Sequence, residues 1–206
     1  MKFLKNAFVV VIGVLTLGAF PCSLVAQNVD ASMLLHPPAD SWPSYHGDYT
    51  GKRHSKLTQI TPQNVNQLTL AWAFQTERSG TIKSSPLMVN GVLYFTIPDN
   101  IWAVDARSGQ QLWHYTYPPN KGDHIGQRGV AIYKDWIYFA TPDAHLVSLN
   151  AKDGTVRWIV QVADVEKGYW STEAPQIVGN HVIVVVGGDM DNLQTFIRAL
   201  DPETGK

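Results

Sequence analysis

The sequence predicts an all-β fold assembled from tandem four-stranded antiparallel units, and three observations carry that expectation. The segment Ala103-Val104-Asp105-Ala106-Arg107-Ser108-Gly109 returns as Leu149-Asn150-Ala151-Lys152-Asp153-Gly154 and again as Ala199-Leu200-Asp201-Pro202-Glu203-Thr204-Gly205. Steps of 45 and 51 residues separate Asp105, Asn150 and Asp201, and a period of that size marks an array of supersecondary units. Beyond the first two corners, Gln111-Leu112-Trp113-His114-Tyr115 and Thr155-Val156-Arg157-Trp158-Ile159 alternate with period two, the pattern of a strand with one buried face. Upstream of each corner lies a further hairpin pattern, in 86–95, 130–139 and 175–184. Two hairpins make four antiparallel strands, and four strands in about 45 residues is the size of a β-propeller blade. The expected architecture is a partial β-propeller of about three four-stranded antiparallel blades, covering about 80–115, 128–160 and 172–206, the last incomplete.

Each element has a local reason. At the corners, an Asp or Asn side chain accepts from backbone amides two residues on, and the Gly four positions later adopts a positive φ. Residues 1–26 read as a signal peptide: Lys2 and Lys5 form a basic start, 8–20 an apolar run, and Ala26 a small residue for cleavage. That apolar run is shorter than the roughly 20 residues a membrane span needs, so no span is expected after cleavage, and the product is expected to be periplasmic or secreted. Residues 27–40, with Pro37-Pro38 and no periodicity, read as a flexible lead to a propeller domain over 41–206. Leu68-Thr69-Leu70-Ala71-Trp72-Ala73-Phe74 reads as a strand whose Trp72 matches Trp113 and Trp158.

Composition removes several function classes. With 16 basic and 17 acidic residues the formal charge is −1, which leaves no electrostatic footprint for nucleic acid. The single cysteine, Cys22, lies in the targeting segment, so a mature chain forms no internal disulfide. The histidines lack the spacing of a zinc site, and neither a phosphate loop nor a nucleophile elbow occurs.

Read in series, Trp42, Tyr45-His46-Gly47-Asp48, the run 57–65, Leu70-Ala71-Trp72, Ser85-Pro86-Leu87, the corner at 103–109 and Arg128-Gly129-Val130-Ala131 resemble the N-terminal third of a quinoprotein alcohol dehydrogenase. That family is periplasmic, uses pyrroloquinoline quinone (PQQ) and forms an eight-bladed propeller. The resemblance implies PQQ and calcium as cofactors, a small alcohol as substrate and an electron acceptor such as a cytochrome. An alternative is a non-catalytic PQQ-like repeat propeller serving as a binding or outer-membrane assembly scaffold.

Four residues follow from the resemblance. Arg128 stands where the family has an Arg that pairs with a quinone carboxylate, a role its planar fork of donors suits; the alternative is a surface Arg beside a turn. Thr172 matches a Thr whose hydroxyl reaches the cofactor, although a strand-end Thr also occurs without a ligand. Lys83 occupies the position of a Glu that hydrogen-bonds the quinone, a departure. Asp189, in Val186-Gly187-Gly188-Asp189, stands where the family has a calcium-binding Glu and could offer a carboxylate to a hard cation; a solvated turn is the alternative. The family's adjacent-cysteine disulfide has no counterpart in 121–127. Its catalytic Asp and remaining calcium ligands come from later blades, so no catalytic residue is assigned. The chain is expected to be a fragment, inactive and marginally stable alone, with two blade faces open.

Overall fold

A computed structural model describes residues 26–122, 125–188 and 191–206; the targeting segment lies outside them apart from Ala26. The fold is all-β, in three antiparallel sheets. The first contains β1 (Leu87–Val89), β2 (Val92–Ile97), β3 (Asn100–Asp105) and β4 (Gln111–Thr116), hydrogen-bonded in that order. The second repeats it with β5 (Ala131–Tyr133), β6 (Trp136–Ala140), β7 (His145–Asn150) and β8 (Val156–Gln161). The third has β9 (Gln176–Val178), β10 (His181–Val186) and β11 (Phe196–Leu200). Two sheets are thus complete four-stranded blades, and the third has three strands among the described residues.

The three corners share one hydrogen-bond scheme. Asp105 Oδ1 accepts from the amides of Arg107 at 3.0 Å and Ser108 at 2.7 Å, Asn150 Oδ1 from Lys152 at 2.9 Å, and Asp201 Oδ1 from Glu203 at 2.9 Å and Thr204 at 2.8 Å. In each case the glycine four residues on donates its N–H back to the corner carbonyl, at 2.8–2.9 Å. Hydrogen bonds from Ser108 hold the Asp105 carboxyl below its ordinary range, and those from Thr204 do the same for Asp201. The glycines sit at φ +72, +73 and +72, a left-handed region that costs other L-residues about 1–2 kcal/mol.

Each corner is also the seat for an indole from the preceding unit. Trp72 Nε1 donates to the Ala106 carbonyl at 3.2 Å and Trp113 Nε1 to the Ala151 carbonyl at 2.9 Å. At the third corner Pro202 replaces the alanine; Trp158 Nε1 moves one residue on, to the Glu203 carbonyl at 3.1 Å, and Tyr138 Oη takes the Pro202 carbonyl at 3.1 Å. The corner glycine makes room for the ring: a Cβ built on Gly109 would lie 2.7 Å from the Trp72 indole, and one on Gly154 2.8 Å from Trp113. The main hydrophobic core runs through the blades, with Tyr94, Ile101, Tyr138, Phe139, Leu146 and Val184 fully buried or nearly so, and a second cluster of Ile97, Trp102 and Val104 packs against Trp72 and Phe74. The core strands β3 and β7 are buried along most of their length, whereas β4 and β8 are partly exposed.

Two expectations are corrected. Residues 27–40 are not an unstructured lead. Ala31–Leu35 form a short helix, α1, capped by Asp30 Oδ1 accepting from Met33 N at 2.8 Å, and Leu34 is buried. The segment joins the second blade, where Val29 pairs with Lys134 and Asn28 N donates to Asp135 Oδ1 at 2.9 Å; past it, Trp42 pairs with Met88 of β1 and Tyr49 Oη donates to the Ile177 carbonyl of β9. One turn of helix has no periodicity to read, and long-range pairing holds it. Leu68–Phe74 is not a strand, because no neighbouring strand pairs with it among the described residues; Trp72 nevertheless takes the indole seat. Apolar side chains are open at both ends of the arc, with Leu70 82% exposed at one end and Ile197, partnered across the ladder with Val185, 68% exposed at the other.

Gly51 and Gly109 share a similar φ but differ in what surrounds them. Gly51, at φ +69, has nothing within 4 Å of an added Cβ, so Gly51→Ala is expected to cost only the left-handed penalty of about 1–2 kcal/mol. Gly109→Ala meets the Trp72 ring as well and is expected to cost about 1–3 kcal/mol more. Equal losses in urea melts would count against the docking.

Candidate functional site at the inner ends of the blades

Three segments enter the innermost strands β1, β5 and β9 in series. Ser85 N–H donates to the Arg128 carbonyl at 3.0 Å, and Arg128 N–H donates to the Thr172 carbonyl at 3.1 Å. Ile82 and Gln127 form a parallel bridge beside them. Gly129 permits this approach: its φ is +132, and a Cβ there would lie 3.1 Å from the Ser85 carbonyl oxygen. The glycine following Arg128 therefore has a steric cause, and the series fixes how the three blade beginnings line up.

Along this line stand three of the four sequence-predicted residues. Arg128 Nη1 donates to Thr172 Oγ1 at 2.6 Å and to the Thr172 carbonyl at 3.3 Å. Thr172 is buried, whereas Arg128 is exposed, so part of the guanidinium fork is held while the rest is open to a ligand. Lys83 is exposed too, its aliphatic chain against Gly126, where an added Cβ would lie 2.5 Å from Lys83 Cδ. The structure thus brings Arg128 and Thr172 into direct contact and sets Lys83 on the neighbouring blade. Two accessible cations and a hydroxyl are a donor set for an anionic ligand.

Asp189 lies outside the described residues. The chain leading to it is placed: Val186 closes β10, and Gly187 exchanges backbone hydrogen bonds with Trp170 at 2.8 and 3.1 Å. Among the described residues, no group of three or more His, Cys, Asp or Glu is arranged to hold a metal ion.

Sequence reasoning missed Glu173. Its Oε1 is buried without a hydrogen-bond partner, while Oε2 accepts from Ser171 Oγ at 3.3 Å. Ser171 Oγ also lies 3.0 Å from the Val185 carbonyl, which ties this segment to β10. Burial pushes the Glu173 carboxyl up to about 7, against the opposing pull of the Val185 backbone, Ser171 and Arg128. The available signal was an acidic residue placed between Thr172 and Ala174-Pro175, among apolar or uncharged neighbours.

The chain is similar to proteins of known family. The family described as glucose/ethanol/alcohol dehydrogenase, β-propeller domain, with PQQ as its label, matches residues 42–206. Quinohemoprotein alcohol dehydrogenase ADH-IIG of Pseudomonas putida is 33% identical over 193 residues, 88% of this chain and 27% of that protein. The 1-butanol dehydrogenase (cytochrome c) of Thauera butanivorans is 34% identical over 169 residues, 78% of this chain and 24% of that one. The solved structure of ADHIIG from Pseudomonas putida HK5 superposes with a TM-score of 0.82 at 33% identity, covering 88% of this chain and 28% of that one. The chain spans about a quarter of the length of these curated relatives.

The raised Glu173 value has a stability consequence of fixed sign. The folded protein holds this proton to about pH 7, whereas an ordinary carboxyl releases it near 4.5, so stability from the neutral buried acid is full below 4.5 and is lost as pH rises toward 7. Thermal melts by circular dichroism are expected to show Glu173→Gln matching the unsubstituted protein at pH 4 and melting several degrees higher at pH 8. The same difference at both pH values would contradict the assignment.

Proposed function

The chain belongs to the glucose/ethanol/alcohol dehydrogenase β-propeller family that bears the PQQ label, and on that premise we propose that it forms part of a PQQ-binding face in an alcohol-oxidising dehydrogenase. The observation that carries this reading is the bond between Arg128 and Thr172 across two blades, with Lys83, exposed like Arg128, on the next blade. A quinone bearing carboxylates is a planar anion, and the guanidinium fork meets a carboxylate with two parallel N–H donors. Thr172, already accepting from Arg128, keeps the fork oriented. Lys83, where the family has a carboxylate, adds a second cation to the same anion.

The donor set fits PQQ; for calcium the described residues offer no ligand group, and Asp189 is the carboxylate we assign to it on the resemblance alone. When bound, the quinone supplies the two-electron acceptor chemistry, and the protein's part is to bind, orient and exclude water. We assign the alcohol substrate, the passage of electrons to an acceptor such as a cytochrome, and export to the periplasm by residues 1–26 to the protein on the same premise. We assign no residue of this chain to proton abstraction.

Titration with PQQ, followed by quenching of the seven tryptophans, tests the reading. Saturable quenching is expected, and Arg128→Lys, which replaces a fork with a point charge, is expected to weaken binding at least about tenfold. No saturable quenching at tens of micromolar PQQ would overturn it in favour of a non-catalytic repeat scaffold.

A further inference from the structure

Residues 27–29 form a clasp across two blades, and it begins at the residue where export would leave a new chain end. Gln27 is 3% exposed. Its carbonyl accepts from Asn90 Nδ2, in the turn between β1 and β2, at 3.1 Å. Asn28 N–H donates to Asp135 Oδ1 at 2.9 Å, and Val29 exchanges backbone hydrogen bonds with Lys134, both in the turn between β5 and β6. Ala26 lines an open cleft with Gln27, Asp135, Asn150 and Lys152. Cleavage after Ala26, the small residue that ends the leader, makes Gln27 the first residue. An α-ammonium there would belong to a residue that the fold covers, and loss of hydration disfavours the charged form. Asp135 is the carboxylate at the cleft, but its Oδ1 already accepts from Asn28, and Lys152 at the same cleft opposes a second cation.

We propose that Gln27 is a modification site: once the leader is removed, its α-amine closes on its own side-chain amide to give pyroglutamate. This rests on the export reading of residues 1–26 and is independent of the PQQ reading. The neutral amine nitrogen attacks Cδ, an N–Cδ bond forms and the Cδ–Nε2 bond breaks. Ammonia leaves carrying the proton that the amine gives up, and nothing is oxidised or reduced. Attacking nitrogen and carbonyl carbon belong to one residue and close a five-membered ring, so no bimolecular encounter is needed. An α-amine in an open chain titrates at about 7.7–8.0, which leaves a share of it neutral and nucleophilic near neutral pH. The lactam has no charge to desolvate, and it retains the Gln27 carbonyl that Asn90 holds. The clasp then presents a neutral first residue to the first two blades.

The test is the intact mass of the full chain after export to the periplasm of a Gram-negative host. A mass equal to residues 27–206 less one ammonia is expected, with no α-amine open to Edman degradation. Gln27→Asn, whose shorter side chain would have to close a four-membered ring, is expected to be cleaved at the same place and to keep its amine. Pyroglutamyl aminopeptidase is expected to leave the intact chain uncut and to remove the residue from its N-terminal tryptic peptide, because the clasp covers this end. A mass of residues 27–206 with the ammonia retained overturns the proposal in favour of an ammonium held by Asp135, and leaves the export reading standing. Removal from the intact chain at the peptide's rate also overturns the proposal, because the fold then does not cover residue 27. A mass that still contains residues 1–26, or that begins at another residue, overturns the export reading and the proposal with it. Mass is read on denatured protein from soluble and insoluble fractions alike, so poor folding does not shield the proposal.

Discussion

The constraint on which the structure depends is the seating of one unit's indole on the next unit's corner. A corner must supply a carbonyl free to accept, a backbone turned by an Asp or Asn side chain, and a residue without a Cβ where the ring arrives. Trp72, Trp113 and Trp158 each donate to such a carbonyl, at 3.2, 2.9 and 3.1 Å. One such hydrogen bond contributes about 1 kcal/mol net, and the buried indole area adds to it. The larger effect is orientation. Once the outer end of a blade is fixed to its neighbour by ring and hydrogen bond, the rotation between blades is set, and the inner ends must meet in one register. The series Ser85, Arg128, Thr172 is that register, and the candidate site is a consequence of it.

What the sequence made legible follows the range of each interaction. The corners are local: Asp105, Asn150 and Asp201 act within four residues of themselves, so the repeat announces them and their geometry follows. Strand pairing within blades was legible for the same reason, since the hairpins join neighbours in sequence. Trp72 was legible through its likeness to Trp113 and Trp158 even though the backbone around it forms no ladder. The lead was not, because α1 is five residues long and Asn28 and Val29 find partners more than a hundred positions away, at Asp135 and Lys134. Those contacts leave no periodic trace.

The site divides in the same way. Arg128, Thr172 and Lys83 were reachable through likeness to a family, and the structure supplies the reason for their proximity in the backbone bonds of blades one to three. Glu173 was not reachable, because nothing in its own stretch shows that β10 will bury it. Its raised titration arises from desolvation, a property of the assembled blades. Lys83 and Glu173 together redistribute charge around the inner ends: a cation on the first blade and a protonatable acid on the third, with Arg128 between them.

A double-mutant cycle between Trp113 and Gly154 tests the docking constraint most directly, because the two residues belong to different blades and share no local sequence. In the unsubstituted background, Gly154→Ala both strains a left-handed backbone and strikes the indole; with Trp113→Ala already in place, only the backbone strain is left. Urea denaturation is expected to show Gly154→Ala costing less in the Trp113→Ala background by at least about 1 kcal/mol, the size of coupling seen between residues in contact. An equal cost in both backgrounds would mean that the glycine and the indole do not meet, and the account of how the blades are held in register would be wrong.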